Sequence, residues 1–440
     1  MRMKLAFAAA LLLSGVSAAS AADNWAGAWG FVALPLPAGQ APAPIVPGAA
    51  RLATLVPMSE APPIPAPPAG RGGAPLLENP GNIALLPGNV DLTKVTVREL
   101  VRVSLAGSQI RLRFSNEASP DVLPLGAVHV AEAGPDGSIV PGSDHVVTFD
   151  GRRGVTIPAS SPLLSDPVNM PVRAMERLLI SIHVPGAVPR TGHALFTYVT
   201  QTPGDNTAAA ALPDVRLARV TALVTEVDVN TATPAGVIAA LGDSITEGAT
   251  STSNAFRSWP DRLAERLSAS AATRDWTVVN AGIGSNRLLH DTPSTNALSR
   301  FDRDVLSVPR VKAVIVLLGI NDIQYSNRNA AEAVHAPEEI AAFRQLIDRA
   351  HAAGLKIYGA TITPFEGSPD YTAEGEADRQ AMNSFIRSGT FDGVVDFDAA
   401  LRDPARPTHL KSDVESSGHL HPNDAGYRVM GDSIDLKLFK

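Results

Sequence analysis

From about residue 234 to the end of the chain, five apolar runs of strand length alternate with longer amphipathic segments, and few folds accommodate that alternation. The runs are 237–241, 276–280, 311–318, 355–362 and 393–397. Residues 311–318 are nearly all aliphatic, the pattern of a strand covered on both faces. Between the runs, 259–267, 298–306, 337–353 and 376–387 repeat apolar residues at helical spacing, and 424–434 reads as a closing helix. Pro260 falls in a first turn that tolerates it, and Gly354 falls where a helix stops. The alternation predicts a parallel, three-layer α/β sheet with right-handed crossovers. In such sheets the chemistry lies beyond the carboxyl ends of the strands.

Upstream the pattern changes. Residues 95–98 and 109–114 alternate apolar with polar, as half-buried strands do, and 178–184, 194–200 and 222–229 look similar. Gly and Pro punctuate these runs at short intervals, as in Gly134-Pro135-Asp136-Gly137, so this half predicts an all-β sandwich or jelly roll. The stretch 35–75 is so rich in Pro, Ala and Gly that it reads as an extended loop. At the amino terminus, Arg2 and Lys4 precede an apolar run at 5–16 and the small-residue site Ala19-Ser20-Ala21. That is a signal-peptide pattern over 1–21, and the run is shorter than the roughly 20 residues a bilayer span needs. No membrane anchor is expected after cleavage. The remainder exceeds what one core usually supports, which divides the chain into a β-rich domain at 22–232 and an α/β domain at 233–440. The absence of cysteine excludes disulfides, thiolate metal sites and a lipid-modified cysteine, and with the leader it points to the periplasm or secretion. A net charge of −7 argues against nucleic acid or anionic lipid as a partner. Nothing in the sequence sets an oligomeric state.

Four polar segments follow the apolar runs or close the chain: Gly242-Asp243-Ser244, Asn280-Ala281-Gly282-Ile283-Gly284-Ser285-Asn286, Gly319-Ile320-Asn321-Asp322, and His419-Leu420-His421-Pro422-Asn423-Asp424. Ser244 would stand at a strand-to-helix turn, where helix amides face developing negative charge. A serine hydroxyl needs a base to take its proton, and His421 is the candidate. The Asn321 amide and a backbone N–H of the Gly284-Ser285 turn are candidate oxyanion donors. This chemistry requires no cofactor and no metal. Taken singly, Gly-Asp-Ser and Gly-x-Asn-Asp are common turns, and His-Pro-Asn-Asp also suits a helix start with Asn423 or Asp424 as its cap. Their occurrence in order, each at the appropriate end of the sheet, favours the chemical reading.

The four segments resemble the sequence blocks of GDSL (SGNH) hydrolases. The resemblance implies a flavodoxin-like SGNH hydrolase domain with a five-stranded parallel sheet, preceded by an all-β, jelly-roll-like domain. It implies Ser244 as nucleophile, His421 as base and Asn321 as oxyanion donor. It also implies an exported esterase acting on a small-molecule or polysaccharide ester, with acetyl groups on carbohydrate the favoured substrate. A lipase or arylesterase, or a carbohydrate-binding protein with a weakened hydrolase domain, are the alternatives. Two positions depart from the family pattern. Ser285, preceded by Gly284, stands where the family usually has its oxyanion glycine. Gly418 stands three residues before His421, where the family has the triad aspartate. A backbone carbonyl within 415–417 could orient His421 instead, or Asp413, Glu415, Asp396 or Asp398 could reach in, or the enzyme is weakened. His419 is expected to face solvent rather than bind metal, Asp322 to brace the Asn321 turn, and Trp25 and Trp29 to pack near the domain start.

Overall fold

The computed structural model describes residues 24–30, 32, 34–35, 84–85, 93–187, 191–192, 199–213, 216–218, 223–232, 236–252, 254–292 and 294–440. The expected leader at 1–21, nearly all of the Pro-rich stretch and most of 194–200 lie outside them.

Five parallel strands carry the polar segments: β1 (Gly236–Gly242), β2 (Trp276–Gly282), β3 (Val311–Leu317), β4 (Lys356–Ala360) and β5 (Gly393–Val395). Their order is β2-β1-β3-β4-β5. Strand β1 is buried at every position. Its alternation sends Val237, Ala239 and Leu241 into one apolar cluster and Ile238 and Ala240 into another, so helices must cover both faces. The helices are α1 (Ser244–Glu247), α2 (Trp259–Ala269), α3 (Ala297–Phe301), α4 (Ile320–Arg328), α5 (Ala336–Ala352), α6 (Ala373–Ile386), α7 (Phe397–Leu401) and α8 (Asp424–Ser433). Trp259 and Leu263 of α2, Phe397 of α7 and Tyr427 of α8 close one face. Phe301, Phe343 and Leu346 help close the other. The chain runs outward from β1 to β2 and then returns to β3. This opens a crevice at the carboxyl ends of β1 and β3, where open α/β sheets bind ligands.

Local signals set the helix ends. Ser258 and Asp261 form a reciprocal capping box on α2. Helix α5 ends before Gly354, which adopts φ 73°. Two expectations need correction. The helix read over 298–306 is α3 continued by a π-helical turn, Asp302–Leu306, in which the Ser307 N–H donates to Asp302 O; apolar spacing does not distinguish the two. Helix α4 begins inside the polar segment Gly319–Asp322, where no helix is expected, because 320–328 is largely polar and lacks a clear apolar period.

Among the described residues the amino-terminal half forms two larger facing sheets and two two-stranded ones, antiparallel but for one short pair. One orders Trp25–Gly30, Val224–Asn230, Gln109–Ser115 and Pro162–Leu164. The other centres on Thr93–Val103 and Glu176–Ala187. In Gln109–Ser115 the alternation holds: Ile110, Leu112 and Phe114 are buried, while the Arg111 side chain turns out to pair with Asp228 at 2.7 Å. The run 95–98 is not half-buried as its alternation suggests. Thr96 and Arg98 are buried too, because the distant loop after Val199–Pro203 lies over them and supplies Gly204 O to Thr96 and Ala209 O to Arg98.

The β-half docks on the edge of the parallel sheet. A β-carbon at Gly30 would lie 3.0 Å from Val279 Cβ, so glycine lets this strand approach β2 closely. Arg102 reaches Asp261 and Glu265 on α2, at 3.3 and 3.0 Å. Trp25 is buried with the Arg111 guanidinium over its ring, and Trp29 packs partly buried against the core.

Candidate active site

Strand β1 ends at Gly242, where a β-carbon would lie 2.0 Å from Thr246 Oγ1. Only glycine lets α1 fold back over the strand so abruptly. Asp243 caps α1, its Oδ1 accepting from Ile245 N at 2.9 Å. Burial pushes the Asp243 carboxyl up to about 7, against the pull of that N–H; Asp322 pushes it further and Arg300 opposes. Ser244 is therefore the first residue of a helix at the carboxyl edge of the sheet. Its Oγ lies 2.8 Å from His421 Nε2.

His421 stands on the segment leading into α8, whose cap is Asn423. Burial lowers the imidazole from 6.5 to about 4. Among the described residues no carboxylate is hydrogen-bonded to its ring. Glu415 Oε2 is engaged by His419 Nδ1 at 2.9 Å. Asp396 is held by Thr361 and Arg387, and Asp398 by Arg379, Arg387 and Arg402. Asp413 contributes its backbone carbonyl to Asn423 Nδ2. The carbonyls of Glu415 and Ser416 accept from Asn423 Nδ2 and His419 N, not from the imidazole. A β-carbon at Gly418 would meet nothing within 4 Å. The His419 side chain is 47% exposed.

Asn321 lies in the first turn of α4, after Gly319 at φ 116°. One of its amide protons goes to Asn286 O at 3.1 Å, which sets the rotamer and leaves the other available. Ser285 adopts φ 59°, the left-handed region that strains a residue other than glycine. Among the described residues no acceptor meets the N–H of Gly284 or Ser285. Asp322 does not brace the Asn321 turn; its carboxylate accepts from Leu288 N at 2.7 Å and Leu289 N at 3.3 Å, so it holds the glycine loop.

One buried cation ties these parts together. Arg300 of α3 donates to Gly242 O and Ala281 O, each at 2.9 Å, and to Asn286 Oδ1 and Asp304 Oδ2, each at 3.0 Å. It thereby fixes the ends of β1 and β2 and the residue that orients Asn321. Among the described residues no group of three or more His, Asp or Glu is placed to hold a metal ion. No helix among them is long and apolar enough to cross a membrane.

Residues 240–429 match the family described as GDSL-like Lipase/Acylhydrolase. The carboxy-terminal domain belongs to that family. It is thus an ester hydrolase domain on a five-stranded parallel sheet. Solved structures similar to it include a lipolytic protein of the G-D-S-L family from Desulfitobacterium hafniense, at 23% identity and TM-score 0.36, covering 45% of this chain and 96% of that one. An aryl esterase from M. smegmatis is 16% identical, TM-score 0.37, covering 47% and 100%. A carbohydrate acetylesterase family member from Sinorhizobium meliloti is 15% identical, TM-score 0.37, covering 46% and 97%. No curated protein matches the chain.

Within this GDSL-like domain the four blocks do meet in space: Ser244 with His421, and Asn321 with the loop at Asn286. Arg300 carries no mark of its role in the sequence. An arginine inside an amphipathic run reads as a solvated face, and only the fold shows it fully buried.

Proposed function

We propose that the protein is an exported serine esterase that removes short acyl groups, acetyl above all, from a carbohydrate. The 2.8 Å approach of Ser244 Oγ to His421 Nε2 at the crevice carries this reading. The hydroxyl adds to the ester carbonyl carbon while its proton passes to Nε2. The resulting oxyanion accepts hydrogen bonds from Asn321 Nδ2 and from a backbone N–H of Gly284 or Ser285. Collapse breaks the bond to the alcohol oxygen, which takes the proton from Nε2 and leaves an acyl-serine. Water then adds to the acyl carbon, giving its proton to Nε2, and the carboxylic acid departs as Ser244 recovers its proton.

Export rests on the leader pattern at 1–21, and amino-terminal sequencing of protein recovered outside the cytoplasm tests it. The catalytic assignment is tested with p-nitrophenyl acetate and acetylated xylan, on the native chain and Ser244→Ala. Turnover of both substrates by the native chain only is expected. Equal rates for the two proteins would remove Ser244 from the chemistry. Preference for long-chain p-nitrophenyl esters would move the reading to a lipase. The weakened-domain reading has one observation in its favour, the absence of a carboxylate bonded to the His421 ring among the described residues.

A further inference from the structure

With no carboxylate among the described residues bonded to its ring, His421 is held through the chain segment on which it stands. The residues that follow the nucleophile's helix make several of those connections. Gly248 N and Ala249 N both donate to Ser244 O, at 3.0 and 2.8 Å. From there the chain crosses to the histidine segment. Ala249 O accepts from Tyr427 Oη at 2.6 Å. Thr250 Oγ1 lies 2.7 Å from Pro422 O, the carbonyl next to His421, and 2.5 Å from Ala249 O, so one hydroxyl proton is shared between the two. Asp424 accepts from Thr252 N at 2.8 Å and from Thr252 Oγ1 at 2.7 Å. On the other side, Ser416 N donates to His421 O at 2.9 Å, and Asn423 Nδ2 donates to the carbonyls of Asp413 and Glu415 at 3.0 and 3.1 Å.

Thr250 is the informative residue. It adopts φ 67°, a conformation foreign to β-branched side chains, and it is exposed to solvent. Burial therefore does not explain a threonine there. Glycine would take that backbone without strain but lacks the hydroxyl that reaches Pro422 O.

We propose that Thr250 and Asp424 are positioning residues for His421, and that residues 249–252 form a strap fixing the base against the nucleophile in place of an orienting acid. This rests on the Ser244–His421 reading above. The strap sets the separation of Oγ and Nε2 by tying the carbonyl of Ser244 to that of Pro422. It acts on the residues that follow the histidine and not on the ring nitrogens, so it orients the ring without altering its charge.

Thr250→Gly separates this role from a structural one. The variant removes the hydroxyl and relieves the strained backbone. Its thermal midpoint is expected to match or exceed that of the native chain, while kcat for p-nitrophenyl acetate falls about five- to tenfold, the worth of one hydrogen bond, and KM stays the same. Thr250→Ser keeps the hydroxyl and is expected to restore kcat to within about twofold. In a Gly418→Asp background, where an acid orients the ring, the loss from Thr250→Gly is expected to shrink. Unchanged kcat in Thr250→Gly, or an equal loss in both backgrounds, overturns the proposal. A native chain no faster than Ser244→Ala sinks the Ser–His reading and the strap with it.

Discussion

Installing an aspartate at Gly418 asks whether the missing acid limits this enzyme. A side chain at that position starts in open space, with nothing within 4 Å of its β-carbon. Burial holds the His421 imidazole at about 4 instead of 6.5. At about 1.36 kcal/mol per pH unit, that depression makes the imidazolium formed during catalysis roughly 3 kcal/mol harder to reach. A carboxylate against Nδ1 opposes that penalty, and recovering all of it is worth on the order of 10²-fold in rate. Fixing the tautomer as well raises the ceiling to about 10⁴-fold, the loss seen when a serine protease is deprived of its orienting carboxylate. Gly418→Asp is therefore expected to raise kcat for p-nitrophenyl acetate by about 10²- to 10⁴-fold. The pH profile supplies a second reading. The neutral ring is the competent base, so native activity should fall only as pH drops through about 4. An adjacent anion favours the charged ring and raises its pKa, which moves the acid limb of kcat/KM upward. Gly418→Asn, uncharged, should move that limb little. Gly418→Asp with native kcat and an unmoved acid limb would refute the reasoning.

Three further outcomes follow from the same geometry. Ser285→Gly relieves a left-handed serine and keeps the backbone N–H; stability in urea should hold or rise by up to about 1 kcal/mol with kcat within twofold, and a tenfold loss would assign work to the side chain. Arg300→Leu strips donors from Gly242 O, Ala281 O, Asn286 and Asp304 in a fully buried site, so about 3–5 kcal/mol of stability should go, along with most activity; a cost under about 1 kcal/mol in urea melts contradicts the clamp. Glu99 is buried, accepts from Leu223 N and Val224 N, and is pushed up to about 8 by burial, so its stabilising contribution is full below 4.5 and lost as pH rises through 8. Glu99→Gln, permanently neutral, should match the native chain near pH 4–5 and exceed it by up to about 5 kcal/mol above pH 8; parallel stability curves across that range would show that Glu99 does not titrate as inferred.

Much of this protein is legible in its sequence, because periodicity and turn chemistry are local. The five aliphatic runs announce a doubly covered parallel sheet, Pro260 and Gly354 mark helix ends, and four short polar blocks name Ser244, His421 and Asn321 as the residues to bring together. What the sequence could not decide are contacts between residues far apart in the chain. Arg300 resembles a surface arginine until β1 and β2 present their carbonyls to it. Asp322 resembles a turn brace until the glycine loop folds onto its carboxylate. Glu415 is a plausible partner for His421 by proximity, yet the tight loop turns it to His419 instead. Thr250, with no motif to mark it, reaches Pro422 O only because the segment leading into α8 folds back onto residues 249–252. Local pattern determines which groups stand at the edge of the sheet. Only the packing of distant segments determines which of those groups touch, because a hydrogen bond needs its partners within about 3 Å and sequence separation says nothing about that distance.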